Sequence, residues 1–469
     1  MHCVSPKTPK DQVLREIKNH VKRLPLRSSG RADHHAAILA SQDFATWLDD
    51  QSFMGSLLQT LYESSLSSEE ASQIDILAGV VDGIPSTLPL SDPHRGLSIL
   101  YSSTSSILPN LWDPSSFSPE TEQDKASSVS FLSNPLAGDP RTVDVTIPLA
   151  NTIFQNGRRS TLFASRWQKG PSHSLVHEAT RQKQTQKVAP RGTSVNHTLP
   201  FLPLLPLIAP RKIVAGLGNI LRQVEVDGSP SPASKELEVL IPQIFDVREK
   251  RYGTSSSGPI GVWAWVIPPH VVETEKLLDL KVFKADSAYS EAELATEAVD
   301  VFSRLTSSGC RLHKILSGGG GWGLKQGLLS LDPETSYAQL EQDDIDLFIK
   351  AFQERDSPSH SGGLVTPGSY VLFCIEPHLT NKDTLGHRVP PSISLSVAPT
   401  NDEGVALRDG TEEVKVLEDH FGAASTGGLF LRTTPELDGS SATEGSEAAS
   451  QPFTTKISVP RACLSLGLS

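Results

Sequence analysis

Eleven residues, from Ser317 to Gly327, contain six glycines and one tryptophan. Glycine loses more backbone freedom on folding than any other residue, so such a cluster is costly unless the chain must turn sharply or approach something closely. The 469-residue chain is otherwise ordinary for a globular protein, with 37% hydrophobic and 20% charged residues. The run therefore marks a constrained place in the fold, but it does not identify a reaction.

The glycine run is a candidate ligand site, because consecutive glycines can present backbone N–H groups to an anion. Lys325 would add a positive charge and Trp322 a stacking face. The run does not match the phosphate-loop pattern G-x-x-x-x-G-K-[ST] or the strand–loop–helix context of a dinucleotide site. The alternative is a tight loop with Trp322 as a packing anchor. The candidate residues of the run are Gly318, Gly319, Gly320, Gly321, Trp322, Gly323 and Lys325.

A second glycine feature lies between Ile213 and Asn219. It contains Gly216 and Gly218, and Arg222 follows nearby. A lone G-x-G is a weak motif, and a strand with a bulge or a tight turn explains it as well. If both glycine features line one cleft, we expect a phosphate-bearing small molecule to bind there.

Charge is distributed unevenly along the chain. The net charge of −12 argues against nucleic-acid binding through a basic surface. Residues 1–31 carry eight Lys/Arg and two Asp/Glu, whereas residues 401–452 carry eleven acids and three bases. Within 1–31, apolar residues recur at helical spacing beside the basic ones, which predicts a basic amphipathic helix. This segment is either a mitochondrial presequence or a surface helix, so we expect a mitochondrial protein, with the cytoplasm as the alternative.

Motifs for metal binding and catalysis are weak. The four cysteines are far apart and lack C-x-x-C spacing, so neither a structural zinc site nor a disulfide framework is expected. His173 and His177 lack the glutamate placement of a zinc protease. The triplet 33–35, Asp-His-His, matches the name motif of the DHH phosphoesterases, but the further Asp and His clusters of those enzymes are missing. We interpret the triplet as a helix cap with exposed histidines.

Helical and strand patterns are intermixed, which favours an α+β or α/β fold with a mixed sheet. Residues 36–64 are predicted to form two helices that meet near Asp49 and Asp50. The dipeptide Asn156-Gly157 predicts a hairpin at 152–163. No segment is apolar over the roughly 18 residues of a membrane span. We expect six regions, namely the basic segment 1–31, an α/β region 32–164, a flexible linker or insertion 165–199, an α/β region 200–400 with the glycine run, an acidic low-complexity region 401–452, and a terminal strand 453–469.

Two short stretches, 147–157 (IPLANTIFQNG) and 317–333, are similar to segments of a protein family of filamentous fungi to which no activity is attached. The resemblance carries no functional residue. It implies a fungal protein and, more weakly, a mitochondrial one.

The basic N-terminal segment and the missing catalytic signatures favour a non-catalytic mitochondrial protein. We expect it to bind protein partners, in organelle gene expression or assembly. The alternative is an enzyme or ligand-binding protein that holds a phosphate-bearing small molecule at Gly318–Gly323. A third possibility is a cytosolic accessory protein whose acidic C-terminal region is an interaction tail. The sequence names no cofactor.

Overall fold

The computed structural model describes most of the chain and divides it into two compact units. Unit 1 comprises Met1–Thr198, Gly386–Pro452 and Cys463–Ser469, and unit 2 comprises Leu199–Leu385 and Phe453–Ala462. The described residues are 6–21, 34–63, 73–87, 90–102, 107–114, 126–133, 141–170, 174–189, 200–253, 260–287, 289–318, 327–337, 364–378, 392–401, 404–405, 407, 414–435 and 453–467.

Unit 1 combines helices with several sheets. Its described helices are α1 Lys10–Val21, α2 Ala45–Asp49, α3 Gln51–Leu61 and the single turn α4 Ile153–Asn156. Its described strands are β1 His34–Ser41, β2 Gln73–Val81, β3 Leu97–Ser102, β4 Ser128–Ser133, β5 Arg141–Pro148, β6 Asn151–Thr152, β7 Arg158–Ser160, β8 Leu162–Lys169, β9 Leu175–Gln182, β10 Thr185–Val188, β20 Ser392–Val397, β21 Thr400–Asn401, β22 Gly404–Val405, β23 His420–Ser425, β24 Leu429–Pro435 and β26 Cys463–Gly467.

The first sheet of unit 1 has the order β3-β1-β2-β8-β9. β1 and β2 are parallel, and the other neighbours are antiparallel. Every residue of β1 is buried, including His34 and His35. The prediction of a helix from residue 36, with exposed histidines before it, was therefore wrong. A continuous apolar run is expected for a buried strand as well as for a buried helix, so periodicity could not distinguish the two.

Helices α1, α2 and α3 belong to the same apolar core as this sheet. α2 ends at Asp49, and the Asp50 side chain accepts hydrogen bonds from the backbone N–H groups of Ser52 and Phe53 at the start of α3. The predicted junction of two helices at this position is confirmed. The basic helix α1 buries Val13 and Ile17, so it is an integral part of the unit 1 core.

The segment predicted as a flexible linker, 165–199, instead contains most of β8 and all of β9 and β10. β9 is the edge strand of the first sheet, and its burial pattern is mostly exposed. An edge strand needs few apolar residues, which explains why polar composition resembled a linker. The region 401–452 also contains the strands β22, β23 and β24, and β23 is fully buried.

The predicted hairpin at 152–163 exists in a shorter form. β6 pairs with β7, and the connection is the one-turn helix α4 followed by Gly157 at a φ of +77°. Gly157 supplies the left-handed conformation that the sequence predicted, but Ile153–Asn156 is helical rather than extended.

The described strands of unit 2 are β11 Pro200–Phe201, β12 Leu205–Pro206, β13 Arg211–Leu217, β14 Ile220–Val226, β15 Ser229–Pro232, β16 Val262–Ile267, β17 Arg311–Gly318, β18 Leu329–Leu331, β19 Tyr370–Ile375 and β25 Phe453–Ile457. Six of them pair in a cycle, β19-β13-β14-β18-β17-β16 and back to β19, and form a closed six-stranded barrel that the sequence did not predict. Its apolar residues, such as Ile213, Ala264 and Phe373, belong to one buried cluster. The described helices of unit 2 are α5 Lys235–Tyr252, α6 Pro269–Thr274 and α7 Glu291–Ser307.

The chain thus has an α+β architecture with mixed sheets. Within the described residues, no helix combines the length and the apolar character needed to cross a membrane.

A buried ion pair joins α5 and α7. The Arg248 guanidinium donates to both carboxylate oxygens of Glu291, at 2.9 and 2.7 Å, and the two side chains are 7% and 3% exposed. Glu291 also accepts from the backbone N–H of His378, and Arg248 donates to the carbonyl of Glu376. The pair therefore fixes both helices to the segment that follows β19.

We predict that Glu291→Gln lowers the free energy of unfolding by about 3–5 kcal/mol, because it leaves the Arg248 charge buried without its partner. Glu297→Gln on the same helix as Glu291, which breaks an exposed ion pair with Lys281, should have a much smaller effect. Chemical denaturation of both variants measures the difference. Equal effects would contradict the structural role of the buried pair.

Candidate functional site

The structure describes part of the predicted glycine site. Gly318 is the last residue of β17. The candidates Gly319, Gly320, Gly321, Trp322, Gly323 and Lys325 lie outside the described residues.

The described members of the two glycine features share one row of the barrel. Gly216 pairs with Leu221, Leu221 with Leu329, and Leu329 with Gly318. Three strand spacings separate the two glycines by at most about 14 Å along the sheet. The two described glycines therefore lie on one row of the barrel, three strands apart.

Both glycines of this row are sites of close packing. A Cβ atom added to Gly216 would lie 2.3 Å from Val365 Cγ1, and one added to Gly318 would lie 2.3 Å from Leu329 Cδ2. The described glycines therefore have a clear role in packing, and phosphate binding at Gly318–Gly323 stays a prediction.

Gly218 and Asn219 form a two-residue turn between β13 and β14, where Leu217 pairs with Ile220. Gly218 has a φ of +59°, in the left-handed region that favours glycine, and the pairing shifts register beside Ala215. The interpretation of a strand with a bulge and a tight turn is confirmed. The third candidate of this feature, Arg222, is exposed on β14.

A cleft in unit 1 presents a different set of groups. Its volume is about 220 Å³. We call it the α3–β9 cleft, because it lies between the α2–α3 segment and strands β8 and β9. Its lining residues are Leu48, Asp49, Gln51, Met54, Arg158, Leu162, Phe163, Ser165, Trp167, His177, Thr180 and Gln182.

A β-bulge in the edge strand assembles one wall of the cleft. On β8, Phe163, Ser165 and Trp167 alternate regularly toward the cleft, and their partners on β9 are Gln182, Thr180 and His177. Thr180 and His177 are three residues apart instead of two, because the register shifts between them. Without that shift, His177 would point to the opposite face of the sheet.

The floor of the cleft is aromatic. Trp167 is buried, and its indole N–H donates to Ser165 Oγ at 3.2 Å. The His177 ring packs edge-on against it, with 5.1 Å between ring centroids. Gly55 of α3 permits this arrangement, because a Cβ atom there would lie 3.2 Å from the Trp167 ring.

One end of the cleft holds an ion pair between Asp49 Oδ1 and Arg158 Nη1. The second Asp49 oxygen, Oδ2, accepts from Asn156 Nδ2 at 3.0 Å, and Asn156 also donates to the buried Thr161 hydroxyl at 2.9 Å. Arg158 itself starts β7, directly after the αL residue Gly157. The turn thus holds Arg158 at the rim of the cleft.

The other polar groups lie along the side formed by β9. His177 Nε2 is 2.7 Å from Thr180 Oγ1, and His177 Nδ1 is 3.5 Å from Gln51 Nε2. The Gln51 amide nitrogen can only donate, so His177 Nδ1 is the acceptor in that contact, and the Thr180 hydroxyl can accept from the Nε2–H of the corresponding tautomer.

Beside the cleft, α4 carries two exposed apolar side chains, Ile153 and Phe154. Phe154 is 96% exposed. The turn beneath it is braced, because the Ile153 N–H donates to Asn151 Oδ1 at 3.0 Å and Thr152 Oγ1 donates to the Arg158 carbonyl at 2.9 Å. We call Ile153–Phe154 the α4 tip.

Other reactive groups of the described chain are committed to packing. Burial raises the pKa of the Cys310 and Cys463 thiols to about 12 and also raises that of Cys374, which disfavours the nucleophilic thiolate. Burial lowers the pKa of Lys183 to about 8, and its Nζ donates to the Leu111 carbonyl at 2.6 Å. Among the described residues, no cluster of three or more His, Cys, Asp or Glu is arranged to hold a metal ion.

The chain matches no family model, no curated protein and no solved structure.

Sequence reasoning did not find the α3–β9 cleft. Its residues come from Leu48–Met54, Arg158–Trp167 and His177–Gln182, so no short motif contains them. His177 was considered only as a zinc ligand in a flexible segment. The α4 turn was noticed, as the dipeptide Asn156-Gly157 and as part of the stretch with a fungal resemblance.

We predict that Gly218→Ala lowers the free energy of unfolding by about 1–2 kcal/mol, because an L-residue with a Cβ atom is strained at positive φ. Glu225→Ala, an exposed change on β14 of the same hairpin, should stay within about 0.5 kcal/mol. Urea denaturation compares the two. A neutral Gly218→Ala would show that the turn does not require glycine.

Proposed function

We propose that this protein binds a small molecule in the α3–β9 cleft. The observation that carries the proposal is the convergence, from three separate parts of the chain, of an apolar and aromatic floor with a rim of polar groups. This combination is what ligand pockets in general present, because apolar surface supplies affinity and a few placed polar groups supply orientation.

The hydrogen bonds of the cleft favour binding over catalysis. Both oxygens of Asp49 already accept hydrogen bonds, from Arg158 and Asn156. His177 faces Thr180 and Gln51 rather than a carboxylate. A general base in the manner of a catalytic triad needs a third group that orients it and stabilises its charge, and an amide is a weak substitute for a carboxylate.

The size of the cleft favours a small metabolite. Pockets for drug-sized ligands have volumes of roughly 300–1,000 Å³, and this one is about 220 Å³. A compound with a short apolar body and one or two polar groups suits the floor and the rim together.

We predict that a thermal-shift screen of small metabolites finds compounds that stabilise the wild-type protein, and that Thr180→Phe weakens their binding by roughly tenfold or more, measured by calorimetry. The added ring would fill the cleft from an exposed position on β9. Val176→Phe is the matched control, because Val176 is exposed on the same strand and is not among the lining residues.

Two results would contradict the proposal. One is the absence of any stabilising compound. The other is binding to Thr180→Phe that equals binding to the wild type, because the ligand would then lie elsewhere.

A second candidate function is partner binding through the α4 tip, in a mitochondrial protein. Exposed aromatic side chains on a rigid turn are typical anchors of protein interfaces, and Phe154 is such a side chain. The mitochondrial location is proposed from the basic segment 1–31. Because α1 packs in the unit 1 core, we expect this helix to stay in the mature protein rather than to be cleaved as part of a presequence.

We predict that a partner purified with the wild-type protein from fractionated cells is lost with Phe154→Ser and kept with Leu278→Ser, as measured by quantitative mass spectrometry. Leu278 is the control because it is an exposed apolar residue in unit 2. Retention of the partner by Phe154→Ser would exclude the α4 tip as its anchor. The same samples give the compartment and the mature N-terminus.

A further inference from the structure

We propose that the ligand of the α3–β9 cleft is a small monoanionic carboxylate with an apolar body, and that Arg158 is the residue that selects its carboxylate. The inference rests on the proposed function, since it names the class of ligand for the same cleft.

The ion pair between Asp49 and Arg158 leaves more hydrogen-bond donors than acceptors unused. Asp49 accepts from Arg158 at one oxygen and from Asn156 at the other. Arg158, in contrast, donates to the described part of the chain through one side-chain nitrogen, Nη1. A guanidinium carries five N–H donors. A carboxylate has about four lone-pair sites, so about two acceptor sites of Asp49 remain beside about four N–H donors of Arg158. Unused donors therefore outnumber unused acceptors at this end of the cleft, and an anionic acceptor would satisfy them.

The Arg158 side chain is accessible from the cleft. The Arg158 side chain is 43% exposed and lines the cleft, so its remaining N–H groups are open to a ligand. The position of its backbone is fixed by the α4 turn, because Thr152 Oγ1 donates to the Arg158 carbonyl. A fixed backbone reduces the conformational entropy that ligand binding must overcome.

Asp49 restricts the charge of a ligand that binds to Arg158. The guanidinium fork matches both carboxylates and phosphates. Asp49, however, forms an ion pair with the same Arg158, so its negative charge lies close to any anion bound there. Asp49 offsets much of the attraction that Arg158 exerts on an anion, so the second charge of a phosphate dianion gains little there. Removing that second charge from water still costs free energy, which favours a monoanion.

The apolar floor of the cleft determines which body of a ligand fits. The floor beyond the ion pair is formed by Leu48, Met54 and Leu162 together with the rings of Phe163 and Trp167. Such a surface gains free energy from contact with an aliphatic or aromatic group. A carboxylate at one end of a short apolar chain or ring satisfies both parts of the cleft.

The test is calorimetry with matched pairs of probes, namely benzoate, phenylacetate and hexanoate against benzamide, phenylacetamide and hexanamide, with phenyl phosphate as the dianion. We expect the wild-type protein to bind at least one acid roughly tenfold more tightly than its amide, and more tightly than phenyl phosphate.

Arg158→Gln should abolish this preference. Arg158→Lys should keep part of it, because it retains the charge without the fork. Arg159→Gln, a change at the next position, which is also exposed and does not line the cleft, should leave it intact.

Circular dichroism confirms that each variant is folded. The carboxylate inference is overturned if amides bind as tightly as their acids, if no acid of the set binds, or if Arg158→Gln keeps the preference. It is also overturned if the compounds found in the metabolite screen are neutral or cationic. In that last case the cleft would still be a ligand site, provided that Thr180→Phe removes binding. The proposed function fails separately, when no compound of the screen or of the probe set depends on Thr180.

Discussion

The pairing of β8 with two different strands is the constraint on which the first unit and its cleft depend. On one side β8 pairs with the buried strand β2, and on the other with the edge strand β9. The same side chains, Phe163 and Trp167, belong to the apolar core and form the floor of the cleft. Because a core is packed at high density, its residues hold fixed positions. The cleft therefore has a rigid floor, although one of its walls is an exposed strand.

The bulge in β9 turns this pairing into a site. A regular edge strand would present every second residue to the cleft, and His177 would then lie on the other face from Thr180. The register shift places His177, Thr180 and Gln182 on one face of the sheet. There they pair across the strands with Trp167, Ser165 and Phe163, respectively. A bulge at the edge of a sheet also increases local twist and makes the edge less suitable for pairing with another chain. One irregularity thus directs polar groups inward and protects the edge.

The comparison of sequence and structure shows where local patterns suffice. The break between α2 and α3 at Asp49 and Asp50, the positive φ of Gly157 and the turn at Gly218 were predictable, because each depends on the intrinsic preference of one or two residues. β1 was mistaken for a helix because a strand buried on both faces has no alternation. β9 was mistaken for a linker because its edge position tolerates polar side chains. The barrel and the cleft depend on pairings between distant segments, such as β16 with β19, which no local pattern contains.

The ion pair at the rim connects the two candidate functions of unit 1. Asn156 belongs to α4, whose exposed residues form the α4 tip, and it shares the Asp49 carboxylate with Arg158. A carboxylate bound to the remaining N–H groups of Arg158 would share that guanidinium with Asp49, which Asn156 also contacts. If the ligand changes the geometry of these shared hydrogen bonds, the conformation of α4 depends on whether the cleft is occupied. Coupling of this kind is reciprocal, so a partner held at Phe154 would change the affinity of the cleft by the same factor as the ligand changes that of the partner. Ligand binding and partner binding are therefore compatible functions of one element rather than competing interpretations of it.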